Sequence, residues 1–186
     1  MSRRGWVSAL SLFAWVLAGS GPAFAEAPEP EGYRMEAYRA PVPETLEGAT
    51  VVGTELAHTL WLEGKTAFID ALPHTPKPKN LPEGTLWHEK PRQSIPGALW
   101  LANVGYGRLA DITDRYFREG LKKATGGDHG HPLLFFCLAD CWMSWNAARR
   151  AVLDYGYTAV YWYPSGTDGW AEAGYPLEAI TPVPMP

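Results

Sequence analysis

Apolar residues fall in short blocks along the chain, and the blocks alternate between a helical and an extended period. Thr54 to Leu62 has helical spacing, with Leu56, Leu60 and Trp61 apolar and Thr54 placed to cap the first turn. Thr66-Ala-Phe-Ile-Asp70 reads as a short strand ending on an acid, and Ala98-Leu-Trp-Leu101 as another. Asp114 to Lys123 predicts a helix with Tyr116, Phe117 and Leu121 along one side and Gly126-Gly127 as its stop. Pro132-Leu-Leu-Phe-Phe136 is continuously apolar, the pattern of a strand buried on both faces. Ser144 to Asp154 predicts a helix, with Trp145, Ala148, Val152 and the following Tyr155 on one face. Tyr157 to Tyr163, rich in β-branched and aromatic residues, predicts a strand that leaves through Pro164-Ser-Gly166. Strands alternating with helices predict an α/β domain with a mainly parallel central sheet.

The segments outside these blocks bound the organisation. A basic start (Arg3, Arg4), an apolar run from Trp6 to Leu17 and the sequence Ala23-Phe24-Ala25 form the three parts of a signal peptide. The apolar run is shorter than the roughly 20 residues that a membrane span needs. Residues 1–25 are therefore expected to be removed on export to the periplasm, leaving no membrane span. Residues 26–45 form an extended Pro- and Glu-rich arm, 46–180 the folded domain, and 181–186 a Pro-rich tail. Residues 73–92, with Pro73, Pro76, Pro78 and Pro82, predict a long irregular loop, a feature that is usually functional or flexible. The formal net charge is −4, and no Lys/Arg cluster interrupts the acidic balance. Nucleic acid is accordingly not an expected partner.

The chemistry concentrates in Cys137-Leu-Ala-Asp-Cys141-Trp142, which holds both cysteines of the chain. In an oxidising compartment such a pair is a disulfide, a redox device or a metal device. A staple closing so small a loop adds little chain-entropy stabilisation, so a purely structural bridge explains it poorly. Cys137 falls at the carboxyl end of a buried strand, where open α/β sheets bind ligands. The helix that follows brings unpaired N–H groups and a positive dipole end, which favour a thiolate and hold anions. The alternative for Cys137 is a small buried apolar residue. A regular helix would put the two Cβ atoms about 5–6 Å apart, beyond the roughly 3.5–4.5 Å of a disulfide. On a loop that curls round Cys137 the gap can close, and Cys141 can resolve a persulfide or mixed disulfide there.

Several pieces recur in a recognisable order: Leu56 and its helix, Phe68-Ile69-Asp70, Ser94-Ile95-Pro96-Gly97-Ala98, the strand into Cys137, Ser144 with Ala147-Ala148, Gly156-Tyr157-Thr158-Ala159-Val160, and Gly169-Trp170 before Gly174-Tyr175-Pro176-Leu177-Glu178. In these, about residues 50–178 resemble the rhodanese-like domain. The resemblance implies a doubly wound sheet flanked by helices, a persulfide-carrying position at Cys137, and a backbone from Leu138 to Met143 that curls round that sulfur. A narrower resemblance rests on Cys137, Cys141 and Trp142, followed by Met143-Ser144-Trp145-Asn146-Ala147-Ala148. It is to periplasmic proteins with a Cys-x-x-x-Cys-Trp motif that accompany PQQ-dependent alcohol catabolism. It implies association with a periplasmic PQQ-dependent alcohol dehydrogenase or its electron acceptor.

The expected site therefore has Cys137 and Cys141 as its catalytic pair. Leu138, Ala139, Asp140, Trp142 and Met143 form the substrate or anion-binding loop, and Asp70 and Ser144 are secondary members. The expected chemistry is sulfur transfer or thiol–disulfide exchange with a small thiol or sulfur donor. The alternative is a non-catalytic module that holds a metal through Cys137 and Cys141, a quinone-type cofactor, or a dehydrogenase partner. His129 and His131 precede the strand at its far end and are awkward ligands; His74 and His88 reach the site only if their loop folds over it. The loop departs from thiosulfate-handling rhodaneses in carrying no cation before Arg149 and in carrying Asp140, which disfavours an anionic donor. Its length resembles the phosphatase branch of the family, but Trp142 and Met143 stand where a phosphatase needs arginine. Trp142 and Trp145 flank the site, one expected in the core and the other free to form an aromatic wall. Arg149 and Arg150 are expected to be solvated or paired with acids.

Overall fold

Alternation within three short strands sets the layering. In β2 (Ala67–Asp70), β5 (Leu133–Phe136) and β6 (Val160–Tyr163) successive side chains leave on opposite faces. Ile69, Leu133, Phe135, Val160 and Trp162 join Phe117 and Leu121 of α2 (Asp111–Thr125) and Trp145, Ala148 and Ala151 of α3 (Trp142–Leu153) in one core. Phe68, Leu134, Phe136 and Tyr163 join Ala57 of α1 (Thr54–Glu63) and Trp170 of α4 (Gly166–Glu172) in another. Helices therefore cover both faces, and every buried strand position has a partner layer. The computed structural model describes residues 27–74, 80–86 and 91–185. The expected signal peptide, and Trp87 and His88 of the long loop, lie outside the described residues.

The sheet runs β1 (Thr50–Val51), β6, β5, β2, β4 (Leu99–Trp100), with every neighbouring pair parallel. This is the α/β class, with a mainly parallel sheet, that the hydrophobic pattern predicts. β2 is followed in the sheet by β4 on one side, and β5 by β6 on the other. The crevice at the carboxyl ends of β2 and β5 is thus the topological switch point, where open α/β sheets bind ligands. Asp70 ends β2 in register with Phe136, the last residue of β5. Cys137 follows directly. Among the described residues, no helix is long and apolar enough to cross a membrane.

The departures from the sequence pattern have local causes. Helix α3 begins at Trp142 rather than Ser144, because Cys141 takes the extended conformation of an N-cap. Thr54 is not the cap of α1: Gly53 is, and Thr54 Oγ1 instead accepts the Tyr163 hydroxyl at 2.9 Å. The run after Tyr163 is a turn that opens helix α4. Arg92, the last residue of the expected irregular loop, opens a strand. β3 (Arg92–Ser94) pairs antiparallel with β7 (Glu178–Ile180) in a small second sheet. The Pro-rich tail is tied down at Val183, whose N–H donates to Trp100 O at 2.9 Å and whose carbonyl accepts the Tyr116 hydroxyl.

Residues 27–49 form a strap laid along α3. They carry almost no regular secondary structure, but their backbone groups are taken up one after another by α3 side chains. Asn146 accepts the Arg34 N–H and donates back to the Arg34 carbonyl, at 2.9 and 2.8 Å. Arg149 donates to the Glu31 carbonyl and faces Glu29. The indole N–H of Trp142 donates to Pro41 O and that of Trp145 to Thr45 O. Arg150 stacks on Tyr33 and donates to the carbonyls of Val104, Tyr106 and Gly107. Arg149 and Arg150, expected to be solvated or paired with acids, are buried and face acids: Arg149 faces Glu29 and Glu47, and Arg150 faces Asp154. Arg149 supplies a donor to the Pro-rich strap backbone, and Arg150 supplies three to the turn at residues 104–107.

Candidate functional site

The loop from Cys137 to Cys141 turns sharply because Asp140 lies in the left-handed region, at φ 50. For a residue with a Cβ this costs about 1–2 kcal/mol. The turn brings Cys141 back to Cys137, with Cα atoms 6.2 Å apart, and the two sulfurs are bonded as a disulfide. The bond forms because the intervening residues are not helical; a helical register would hold the sulfurs apart. Both cysteines are enclosed, at 0 and 2 % exposure, in a small cluster with Met143, Leu138, Leu72 and Tyr38. Cys141 is the N-cap residue of α3, so the positive end of that helix faces the second cysteine of the pair.

Beneath the loop lies a buried polar network. Asp70 is fully buried. Its Oδ2 accepts from Arg92 Nε at 2.8 Å and from Ser94 Oγ at 2.6 Å, and its Oδ1 accepts the Leu72 N–H. Arg92 then reaches upward: Nη2 donates to the Cys137 carbonyl and Nη1 to Thr167 Oγ1, both at 3.2 Å. Thr167 adds its backbone N–H and its hydroxyl to the same carbonyl. Gly166, at φ 51, lets the backbone pass directly against Cys137, where any Cβ would collide with that carbonyl. On the other side Asp168 accepts the Ala139 N–H at 3.0 Å. Ser144 donates to Cys141 O and accepts the Trp162 indole N–H.

Of the expected site residues, Cys137, Cys141, Leu138 and Met143 meet in one cluster, and Asp70 and Ser144 support it from below. Asp140 is exposed and serves through its backbone. Neither tryptophan forms an aromatic wall. Trp142 and Trp145 are both buried and packed edge to face, with centroids 5.3 Å apart. The Asn103 side chain accepts the His74 N–H and donates back to the His74 carbonyl, and His129 stacks on Tyr157. No group of three metal-ligating side chains occurs among the described residues.

A cation does stand beside the cysteine loop, but it comes from β3 and not from the loop itself. Arg92 is already paired with Asp70, and it meets a carbonyl rather than open solvent. Thr167, Asp168 and Tyr38 are further contributors that the hydrophobic pattern does not single out. The one signal for Arg92 is indirect: an acid ending a buried strand needs a partner. Asp70 therefore implied a cation without saying which.

No family model and no curated protein matches the chain. Among solved structures, the chain is similar to the polysulfide-sulfur transferase homodimer of Wolinella succinogenes. Identity is 15 %, over 72 % of this chain and 81 % of that one, with a TM-score of 0.46. It is also similar to two EanB structures in complex with hercynine, at 19 and 23 % identity and a TM-score of 0.47 for each. It covers 32 and 34 % of those chains.

Proposed function

We propose that the protein is an exported, rhodanese-like thiol protein in which Cys137 and Cys141 cycle between dithiol and disulfide. The observation that carries this reading is a sulfur pair within bonding reach at the switch point between β2 and β5. The Cys137 thiolate attacks the outer sulfur of a persulfide-type donor; the donor leaves as a thiol and Cys137 carries the sulfur. The Cys141 thiolate then attacks Cys137 Sγ, hydrosulfide departs, and the bridge forms. A dithiol reductant returns both cysteines to thiols. Run from the bridged form, the same pair oxidises two small thiols to a disulfide through one mixed disulfide. Asp70, Arg92 and Thr167 hold the Cys137 backbone still while its sulfur changes partners. The leader and the Cys-x-x-x-Cys-Trp resemblance support periplasmic work beside PQQ-dependent alcohol oxidation.

Cys137→Ser is expected to abolish labelling of the reduced protein by a thiol probe at neutral pH, together with any mass gain from a persulfide donor. Cys141→Ser is expected to keep both and to lose the release of hydrosulfide. Reactivity that follows Cys141 alone would reverse the assigned roles.

A second reading is an inert bridge in a domain without catalysis, favoured by the enclosure of both sulfurs. A reduction potential far below the catalytic range supports that reading instead. Binding of a metal by the pair requires the reduced form, since each sulfur is otherwise bonded to the other. Intact mass and metal content of protein isolated from the periplasm separate these states.

A further inference from the structure

We infer that residues 37–41 of the strap form a cover over the cysteine pair, and that the Cys137–Cys141 bond latches it shut. The cover meets the loop as a short antiparallel bridge, with Arg39 opposite Cys141. Ala40 N–H donates to Asp140 O at 3.2 Å, and Trp142 N–H donates to Tyr38 O at 2.9 Å. The second bond occupies a first-turn amide of α3, one of the groups that would otherwise face an incoming anion. The Tyr38 ring completes the lid. It packs on the cysteine cluster and stands edge to face on Tyr106, with centroids 5.4 Å apart. Its hydroxyl donates to Met35 O and accepts the Gly107 N–H.

Both sides of this bridge are held in conformations that the chain does not favour. Ala37, just before the cover, has φ 47, and Asp140, on the facing loop, has φ 50. Neither is glycine, so each relaxes once it is free to turn, Ala37 with the larger gain because aspartate tolerates this region better than alanine. Asp140 lies inside the ring that the disulfide closes. While the bond exists, the Asp140 carbonyl and the Trp142 N–H keep the spacing that Tyr38 and Ala40 require. Reduction opens the ring, Asp140 leaves the left-handed region, and the register of the bridge is lost. The rest of the strap has separate anchors on α3, through Asn146, Arg149 and the Trp145 indole, and stays seated, while the Trp142 indole tethers the far end of the cover at Pro41.

The disulfide form is therefore closed, and the dithiol form, made by two electrons and two protons from a dithiol reductant, is open to substrate. This inference draws on the proposed function only in requiring that the pair be reducible.

Hydrogen exchange of the full chain, oxidised and after dithiothreitol, tests it. Exchange at the Ala40 and Trp142 amides is expected to rise at least tenfold on reduction, while the Arg34 amide, bonded to Asn146, stays protected. The double variant Cys137→Ser/Cys141→Ser should match the reduced protein. It gives the same readout if the bond resists the reductant. Ala37→Gly removes one of the two unfavourable conformations, and should restore part of the lost protection. Equal protection of Ala40 and Trp142 in the oxidised, reduced and doubly substituted proteins would overturn the inference. So would a loss that extends to Arg34, which would mean that the whole strap detaches. Sulfur transfer is scored separately: an opening cover over inert thiols refutes the function, and active thiols under an unchanging cover refute the latch.

Discussion

Arg92 and Asp70 carry most of the electrostatic weight under the cysteine loop. Their side chains are 7 and 0 % exposed. A buried pair is not by itself a source of stability, but breaking it leaves a charge in a site built for two. Arg92→Ala is therefore expected to cost about 3–5 kcal/mol in urea denaturation. It should cost more than Asp70→Asn combined with Arg92→Gln, which removes both charges. The Cys137 carbonyl keeps Thr167 as a donor in either variant, so the loop is expected to loosen rather than unfold. Asp70 was visible in the sequence as an acid closing an apolar strand. Arg92 was not, because neither its spacing nor its neighbours announce a contact 22 residues back and 45 residues ahead.

Among the elements, the partnership of the strap with α3 departs furthest from pattern reasoning. The polar residues of α3 lie within a wholly buried stretch, from Trp142 to Ala151, and an amphipathic period assigns them to solvent. Asn146 and Arg149 look like surface positions until the strap supplies carbonyls for them, and Arg150 until Val104, Tyr106 and Gly107 do. Strands β2, β4, β5 and β6 and helices α2 and α3 were legible, because each buries an apolar face at the expected period; α1 was legible through Leu60 and Trp61, although Leu56 is exposed, and β1 was not. The β3–β7 pair was not, since Arg92-Gln-Ser94 has no apolar alternation. The Pro- and Glu-rich composition of the strap predicts an extended arm, but gives no sign of where it lies. Asn146→Ala removes three hydrogen bonds at one amide, to Arg34 and to the Gly105 carbonyl. It is expected to destabilise the protein by about 1–3 kcal/mol, the cost of leaving buried partners unpaired. It should also admit limited proteolysis at the exposed residues Glu31, Gly32 and Met35–Ala37.

For the molecule as a whole, alkaline pH tests how firmly the layers are closed. Burial first, and then a hydrogen bond to Asp114, push the Tyr155 phenol well above the ordinary tyrosine range. Burial and a bond to Asp154 do the same for Tyr33, a strap residue that packs under Arg150 of α3. A group with a raised native pKa contributes stability that is fully present below its unfolded value, about 10 for tyrosine. That contribution is lost as pH rises past it, because the unfolded chain releases a proton the native one keeps. The urea midpoint is thus expected to fall from pH 9 to pH 11, and to fall less steeply in Tyr155→Phe. At the acid end the sign reverses. Burial alone would raise the Asp114 carboxyl, but donors from Tyr155 and Arg118 outweigh it and hold it low. Its contribution is lost as pH falls below the carboxylate range.

The strap also sets an order in time. Its hydrogen bonds to α3 join residues 100 to 121 positions apart, from Thr45–Trp145 to Tyr33–Asp154. Closing loops of that length is entropically costly before the contacts exist to offset it, and such contacts form late. The strap has no surface to lie on until α3 has docked against β5 and β6. The first described stretch of the chain is therefore the last to be placed. In pulse-labelled refolding, the Arg34 amide should gain protection only after the amides of β5 and β6. A chain still being made carries its own lid unseated, and both thiols, once made, stay accessible to oxidants and to partners until the strap docks.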